Sequence, residues 1–532
     1  MSSSPTSPYR YAALAGLLAA LALAACSQPT ASDRFSPASM PSSPMAAEDY
    51  RHLSPPSYFN TESYAYIDEN DFQLVSTSPL STFSIDVDRA SYANVRRFIQ
   101  QGQRPPVDAV RIEEMINYFP YEWDEVLGEH PFAVTTEVWD APWQSAHRLV
   151  RIGLKARSID TEDLPPGNLV FLLDVSGSMA SPNKLPLLKK AFALLVEQLR
   201  AEDRVAIVVY AGAAGLVLPS TPGDEQEEIL AALENLHAGG STAGGAGIKL
   251  AYQVARENHI AGGNSRVILA TDGDFNVGAS SDAEMVRLIE KERESGIFLT
   301  VLGFGTGNLK DSKMEQIADH GNGNFHYVDN LLEARKVLVE EMGGTLLTLA
   351  KDVKVQVEFN PARAAGYRLI GYENRLLDEE DFNDDTKDAG ELGAGHTVTA
   401  LYEVVPVGVP VPGGTVDELR YQSGDEDDTA VESGFEEELM YVKIRYKDPD
   451  GSVSRLLAHT VVDAPVRPST DFRFATAVAG FGMLLRDSPH AGDYTLEAVI
   501  GLAEQSQSPD PRGYRGEFIR LVETALDLRL LE

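Results

Sequence analysis

The segment Asp174-Val175-Ser176-Gly177-Ser178 places one carboxylate and two hydroxyls on alternate residues. Alternate positions of a tight loop can face one side, so these three oxygens can converge on a point. A second carboxylate, Asp272, follows an apolar run, and between the two lies Gly239-Gly240-Ser241-Thr242-Ala243-Gly244-Gly245, a loop offering hydroxyls with little bulk. Oxygen-only donors of this kind suit a hard cation. Ser and Thr completed by waters fit the small octahedral shell of Mg²⁺, ahead of Mn²⁺, and better than a Ca²⁺ cage, which recruits more carboxylates and carbonyls. Two carboxylates against a divalent ion leave little excess negative charge, so a further anionic ligand can still be attracted.

These residues need a scaffold that brings strand ends together. Near-continuous apolar runs at 169–174, 205–210, 266–272, 298–304 and 324–328 alternate with helical stripes such as Leu188, Phe192, Leu195, Val196 and Leu199. That alternation predicts a mostly parallel, doubly wound sheet covered on both faces. In such sheets ligands bind outside the carboxyl ends of the strands, where the strand order reverses. If the strands ending in Asp174 and Asp272 are neighbours there, all the oxygen donors meet at one crevice.

D-x-S-x-S after an apolar strand, GGST downstream and TDG at a later strand end resemble the von Willebrand factor type A (VWA) domain and its metal-ion-dependent adhesion site. SIDVDRASYANVRRF before this domain, and GYRLIGYENRLL with DFNDDTKDAGELGAGHTVTALYE after it, are similar to a family of bacterial VWA lipoproteins. Those proteins carry an amino-terminal VWA-associated segment and a carboxyl-terminal domain of unknown function. The likeness covers nearly everything after residue 78. It implies that Ser176, Ser178 and Thr242 contact the metal directly, while Asp174 and Asp272 act largely through hydrogen bonds and water. The resemblance does not supply a ligand; the expected mechanism is completion of the metal's shell by a Glu or Asp carboxylate of a protein partner.

The 532 residues hold 45 Lys+Arg against 80 Asp+Glu, a net charge of −35. An excess of that size repels phosphate backbones and anionic head groups, so nucleic acid is excluded as a partner. Cys26 is the single cysteine, which excludes internal disulfides and Cys-based zinc sites. It follows a short apolar run (11–23) in Leu23-Ala24-Ala25-Cys26, which resembles a lipobox. The expectation is an exported protein lipidated at Cys26, held in the outer membrane or facing the periplasm, with the lipid as its only membrane contact.

The chain divides into a leader (1–26), a Ser/Pro-rich tether (27–78), an amino-terminal α+β segment (79–165), the VWA domain (166–348), a β-rich domain (349–465) and a helical segment (466–532). The β-rich segments at 132–157 and 351–463 can close into one sandwich with the VWA domain inserted between them. Gly244-Gly245-Ala246-Gly247 lacks the GK[ST] of a phosphate loop and reads instead as clearance for the metal loop. The acidic run DFNDD is expected to be solvated, and His320 and His326 to be ordinary surface or packing residues. With no G-x-S-x-G and no H-E-x-x-H, no enzyme is expected. The competing reading is an envelope scaffold with a purely stabilising metal; a metal-dependent hydrolase comes third. Removing Asp272 should weaken Mg²⁺ more than removing Ser176. By relieving repulsion with Asp174, it should also raise the metal-free melting temperature.

Overall fold

The structure is a computed structural model that describes residues 60–123, 128–240, 244–273, 275, 282–341, 347–413, 435–449, 451–464, 467–506 and 508–531. Cys26, the leader and Thr242 lie outside the described residues.

The amino-terminal segment forms β1 (Gln73–Leu74), β2 (Leu80–Ser84), α1 (Ala90–Gln100), α2 (Ile112–Asn117), β3 (Phe132–Ala141) and β4 (Gln144–Ala156). Residues 60–78, read from composition as the end of the tether, are instead packed. Glu62 pairs with Arg97 at 3.0 Å, Val75 is buried, and β1 adds to a sheet edge. A tether reading rests on composition alone, and composition does not register pairing with strands some 300 residues away.

The VWA domain follows as β5 (Gly167–Asp174), α3 (Leu185–Val196), β6 (Arg204–Tyr210), β7 (Ala214–Pro222), α4 (Gln226–Glu234), α5 (Gly244–Glu257), β8 (Asn264–Thr271), α6 (Asp282–Glu294), β9 (Ile297–Phe304), α7 (Asp311–His320), β10 (Phe325–Val328) and α8 (Leu331–Arg335). Its sheet runs β10-β9-β8-β5-β6-β7. All pairings are parallel except β6–β7. The five parallel strands are those the apolar runs predict, because burial on both faces leaves them almost no polar positions. The antiparallel edge strand β7 was not anticipated: Leu216 and Val217 are exposed there, so it lacks that signature. One apolar core lies on each face, with Phe171, Leu188 and Phe192 on one side and Leu172, Tyr252 and Leu269 on the other.

The chain then forms β11 (Thr348–Phe359), β12 (Ala364–Ile370), β13 (Gly390–Gly393), β14 (Thr397–Pro406), β15 (Glu438–Lys447) and β16 (Ser454–Val462). One sheet is ordered β1-β12-β14-β4-β3; the other is β13-β11-β15-β16, with β2 also on β11. Strands from before and after the VWA domain therefore share a sheet, β4 pairing with β14 from Arg148–Val404 to Lys155–Thr397. The two sheets enclose one core containing Ile152, Leu154, Val355, Val357, Tyr402 and Val442. Finally α9 (Thr470–Leu485), α10 (Leu496–Glu504) and α11 (Tyr514–Asp527) pack with α1 and α2 on the outer side of the first sheet, burying Phe119, Phe474 and Phe518 beside Leu149 and Leu401. Among the described residues no helix is long and apolar enough to cross a membrane.

Candidate metal-binding site

The strand order places the site. From β5 the chain moves to β6 and β7 on one side, then returns to β8, β9 and β10 on the other. The order thus reverses between β5 and β8, and a crevice opens at their carboxyl ends. Asp174 is the last residue of β5, and Asp272 directly follows β8. Both are fully buried.

Asp174 is held from several sides. Its Oδ1 accepts the Ser176 backbone N–H at 2.8 Å, while Oδ2 accepts Thr271 Oγ1–H at 3.2 Å and Tyr210 O–H at 3.3 Å. Burial pushes its carboxyl up to about 6, against the opposing pull of the Ser176 hydrogen bonds. The turn to Ser176 brings its Oγ to 3.0 Å from Ser178 Oγ, and Ser178 is exposed at the mouth. The Ser178 hydroxyl lies close enough to Asp272 to help draw its carboxyl down. Four of the five expected donors therefore converge.

Thr242 lies outside the described residues, but the chain leading to it is anchored at Gly239 and Gly240. Gly177 N–H donates to Gly240 O at 3.1 Å, and Gly239 N–H donates to Val175 O at 2.7 Å. Gly240 adopts φ +83°, a left-handed conformation that favours glycine. Beyond it, a Cβ on Gly244 would come within 2.7 Å of the Phe275 ring, and one on Gly247 within 2.9 Å of Tyr210. The glycines let α5 approach the sheet, so the clearance they provide is for this helix.

Two residues of this site were missed. Lys184 Nζ donates to Asp272 Oδ2 at 2.8 Å and to Asn308 Oδ1 at 2.9 Å. Lys184 is buried, its stem lying against Gly305. Burial is the largest single influence on Asp272 and pushes its carboxyl up. Hydrogen bonds from Asn308 and Lys184, with the ammonium charge, outweigh it and hold the group below the usual range. A signal for Lys184 existed, since it is the cap residue at the amino end of α3, where the helix dipole disfavours a cation. The pairing also reverses one expectation. Asp272 does not simply repel Asp174, so deleting it strands a buried ammonium and should lower, not raise, metal-free stability.

The donor set fits a hard divalent ion: two carboxylates and two hydroxyls converge without a sulfur or imidazole among them. An ammonium bonded to one carboxylate shows that the crevice accommodates positive charge.

Three family models match the chain. Residues 168–339 match the von Willebrand factor type A domain, 58–151 a family described as von Willebrand factor, and 344–528 the carboxyl-terminal region of uncharacterized protein YfbK. Escherichia coli (strain K12) YfbK is 45% identical over 481 residues, covering 89% of this chain and 82% of that protein. The chain belongs to the YfbK family of VWA proteins. More distantly, human inter-alpha-trypsin inhibitor heavy chain H3 is 29% identical over 195 residues, 34% of this chain and 22% of that one. Among solved structures, von Willebrand factor type A from Catenulispora acidiphila is 16% identical, covering 71% of this chain and 87% of its own, with a TM-score of 0.38. VWA domains, of the kind this YfbK-family chain carries, commonly mediate protein–protein contacts.

Proposed function

We propose that this YfbK-family protein is a lipid-anchored binding protein of the cell envelope, not an enzyme. Its VWA domain would hold Mg²⁺ through Asp174, Ser176, Ser178, Thr242 and Asp272, and capture a Glu or Asp carboxylate of a protein partner. The observation that carries the reading is the convergence of Asp174, Ser176, Ser178 and Asp272 at the switch point, with Ser178 open to solvent.

A bound divalent ion would supply an electrophilic position for the partner's carboxylate. The chain's own residues prepare that position. Tyr210 and Thr271 fix Asp174, which sets the Ser176 turn through the backbone N–H. Ser178 bonds the Ser176 hydroxyl and stands beside Asp272, so the three donors are held at one place. Lys184 and Asn308 hold Asp272 from the interior. These neighbours are hydrogen-bond donors that orient, and Tyr210 stays protonated because burial raises its phenol well above the usual value. None is a base poised over the mouth, which supports binding over turnover.

The scaffold reading, with a purely stabilising metal, is less favoured. Backbone bonds between Gly177 and Gly240 and between Gly239 and Val175 already tie the loops together. The test is retention of envelope proteins by immobilised wild-type protein in Mg²⁺ and in EDTA, repeated with Ser176→Ala. Retention specific to Mg²⁺ and lost in the variant supports the proposal. Capture that is indifferent to both would refute it.

A further inference from the structure

A second site lies away from this crevice. A cavity of about 300 Å³ opens where the residue preceding α1, the end of β4, the turn leading into β14 and the Lys336–Glu340 π-helical turn meet. Its charged lining is Arg89, Lys155, Arg512, Glu340 and Glu341, joined by the His396 imidazole and the Tyr121 phenol. A π-turn is uncommon and tends to mark functional places.

Polar atoms around this cavity lack partners among the described residues. They are Arg89 Nε, His396 Nδ1 and Glu341 Oε2, and behind the wall both ring nitrogens of His326. Arg89 and His396 are each 6% exposed, so bulk water does not reach them freely. Buried polar groups are normally satisfied, and several orphans in one place call for an occupant.

The charge of the cavity runs against that of the chain. Arg89 and Lys336 both pair with Glu341, the latter at 2.6 Å, and Arg512 pairs with Glu340 at 3.1 Å. Lys155 is additional, donating to the Gly395 carbonyl at 3.1 Å. Positive charge is therefore in surplus, in a protein whose net charge is −35. Burial and the Arg89 charge push the Lys155 amine down, and burial pushes His326 and His396 to about 3, which keeps both imidazoles neutral.

We propose that this cavity binds a small oxyanion carrying its own hydroxyl, hydrogen phosphate being the simplest. Lys155 Nζ meets its oxygens directly, and Arg89 Nε–H, the His396 ring and Glu341 Oε2, unpartnered and sealed in the wall, turn toward it on binding, the first two donating to its oxygens and the last accepting its O–H. Sulfate has the same shape but no proton to offer, so it meets the Glu341 carboxylate as a like charge. The volume is at the lower end for ligand sites and admits phosphate with waters, or phosphate on a small organic group. Water alone is the competing occupant.

Calorimetric titration of inorganic phosphate into the full-length protein, freed of divalent cations, tests this, with sulfate in parallel. Saturable phosphate binding is expected below about 1 mM, with sulfate about tenfold weaker. Lys155→Gln leaves the Arg89–Glu341 pair in place and should weaken phosphate about tenfold, the scale of one charge-assisted contact. Glu341→Gln should narrow the gap between phosphate and sulfate. The proposal is overturned if no phosphate heat appears up to about 10 mM. It is equally overturned if wild type binds both anions alike, or if a folded Lys155→Gln protein binds phosphate unchanged.

Discussion

Replacing Lys184 by Met isolates the role of the buried ammonium. Lys184 Nζ lies 2.8 Å from Asp272 Oδ2, and both side chains are nearly inaccessible. A hydrogen bond to a charged group is worth about 1.5–3 kcal/mol, and removing one partner of a buried pair costs the desolvation of the other. In chelator, Lys184→Met should therefore lose about 1–3 kcal/mol of stability, softened because Asn308 and Ser178 still draw the Asp272 carboxyl down. For Mg²⁺ the sign is opposite. In wild type a divalent ion must share Asp272 with the ammonium; in the variant it does not. Recovering about 1.5 kcal/mol tightens Mg²⁺ roughly tenfold. Calorimetric Mg²⁺ titration, with urea denaturation in EDTA, measures both quantities. Equal or weaker Mg²⁺ affinity in a folded Lys184→Met protein would refute the competition between the two cations.

Asp272→Ala should weaken Mg²⁺ by about 1–3 kcal/mol more than Ser176→Ala, because it deletes a charge and not a neutral ligand. It should also lower the midpoint of urea unfolding in EDTA; a midpoint that rises would show that Lys184 does not depend on Asp272. Burial, with Glu373 and Asp86 nearby, pushes Glu113 up to about 8, and burial takes Glu315 to about 7, although Arg111 pulls it down. Carboxyls raised in the folded state stabilise fully below about pH 4.5, and that contribution is lost as pH rises through 7–8, by up to about 1.4 kcal/mol per pH unit per group. Glu113→Gln should flatten the fall in stability between pH 5 and 8, and an unchanged slope in urea unfolding would contradict this. Cys26→Ala should abolish incorporation of a palmitate analogue; label retained in the variant would place the lipid elsewhere.

The parallel strands and the donors of the crevice are legible because each is a local pattern. An apolar run ending in Asp174 carries the strand, its terminus and its ligand within a few residues. What the sequence hides is contact across distance. Asn308 reaches Lys184 from a loop 124 residues downstream, and nothing in Gly307-Asn308-Leu309 marks that role. Strand β12 (Ala364–Ile370) is short and Gly-containing, yet it sits between β1 and β14. DFNDD is solvated at Asn383 and Asp384, as expected, while its backbone carbonyls also gather lysines: Lys354 Nζ donates to Asp381 O and Asp384 O, and Lys447 Nζ donates to Asp385 O. His326, expected to be an ordinary packing residue, is buried with both ring nitrogens unpartnered among the described residues.

These contacts also determine where the protein's charge goes. Arg96 bonds Asp329 and Glu333 at the end of the VWA domain and Glu517 in α11. Arg375 bonds Asp86 from the amino-terminal segment and Asp319 from α7. Arg111 bonds Glu114 within its own segment and Asp311 of α7 across a similar junction. Buried cations are thus matched to buried carboxylates, and among the described residues the excess of acidic side chains lies nearer the surface. A surface of that sign repels an approaching carboxylate at every point where no unmatched positive charge stands. At the crevice the nearest side-chain cation is Lys184, already bonded to Asp272 and buried beneath the mouth. On the proposed reading, then, capture of an acidic residue depends on a bound metal and not on steering by the protein's own field. It should be governed by the oxygen cluster of Asp174, Ser176, Ser178 and Asp272, not by any basic patch.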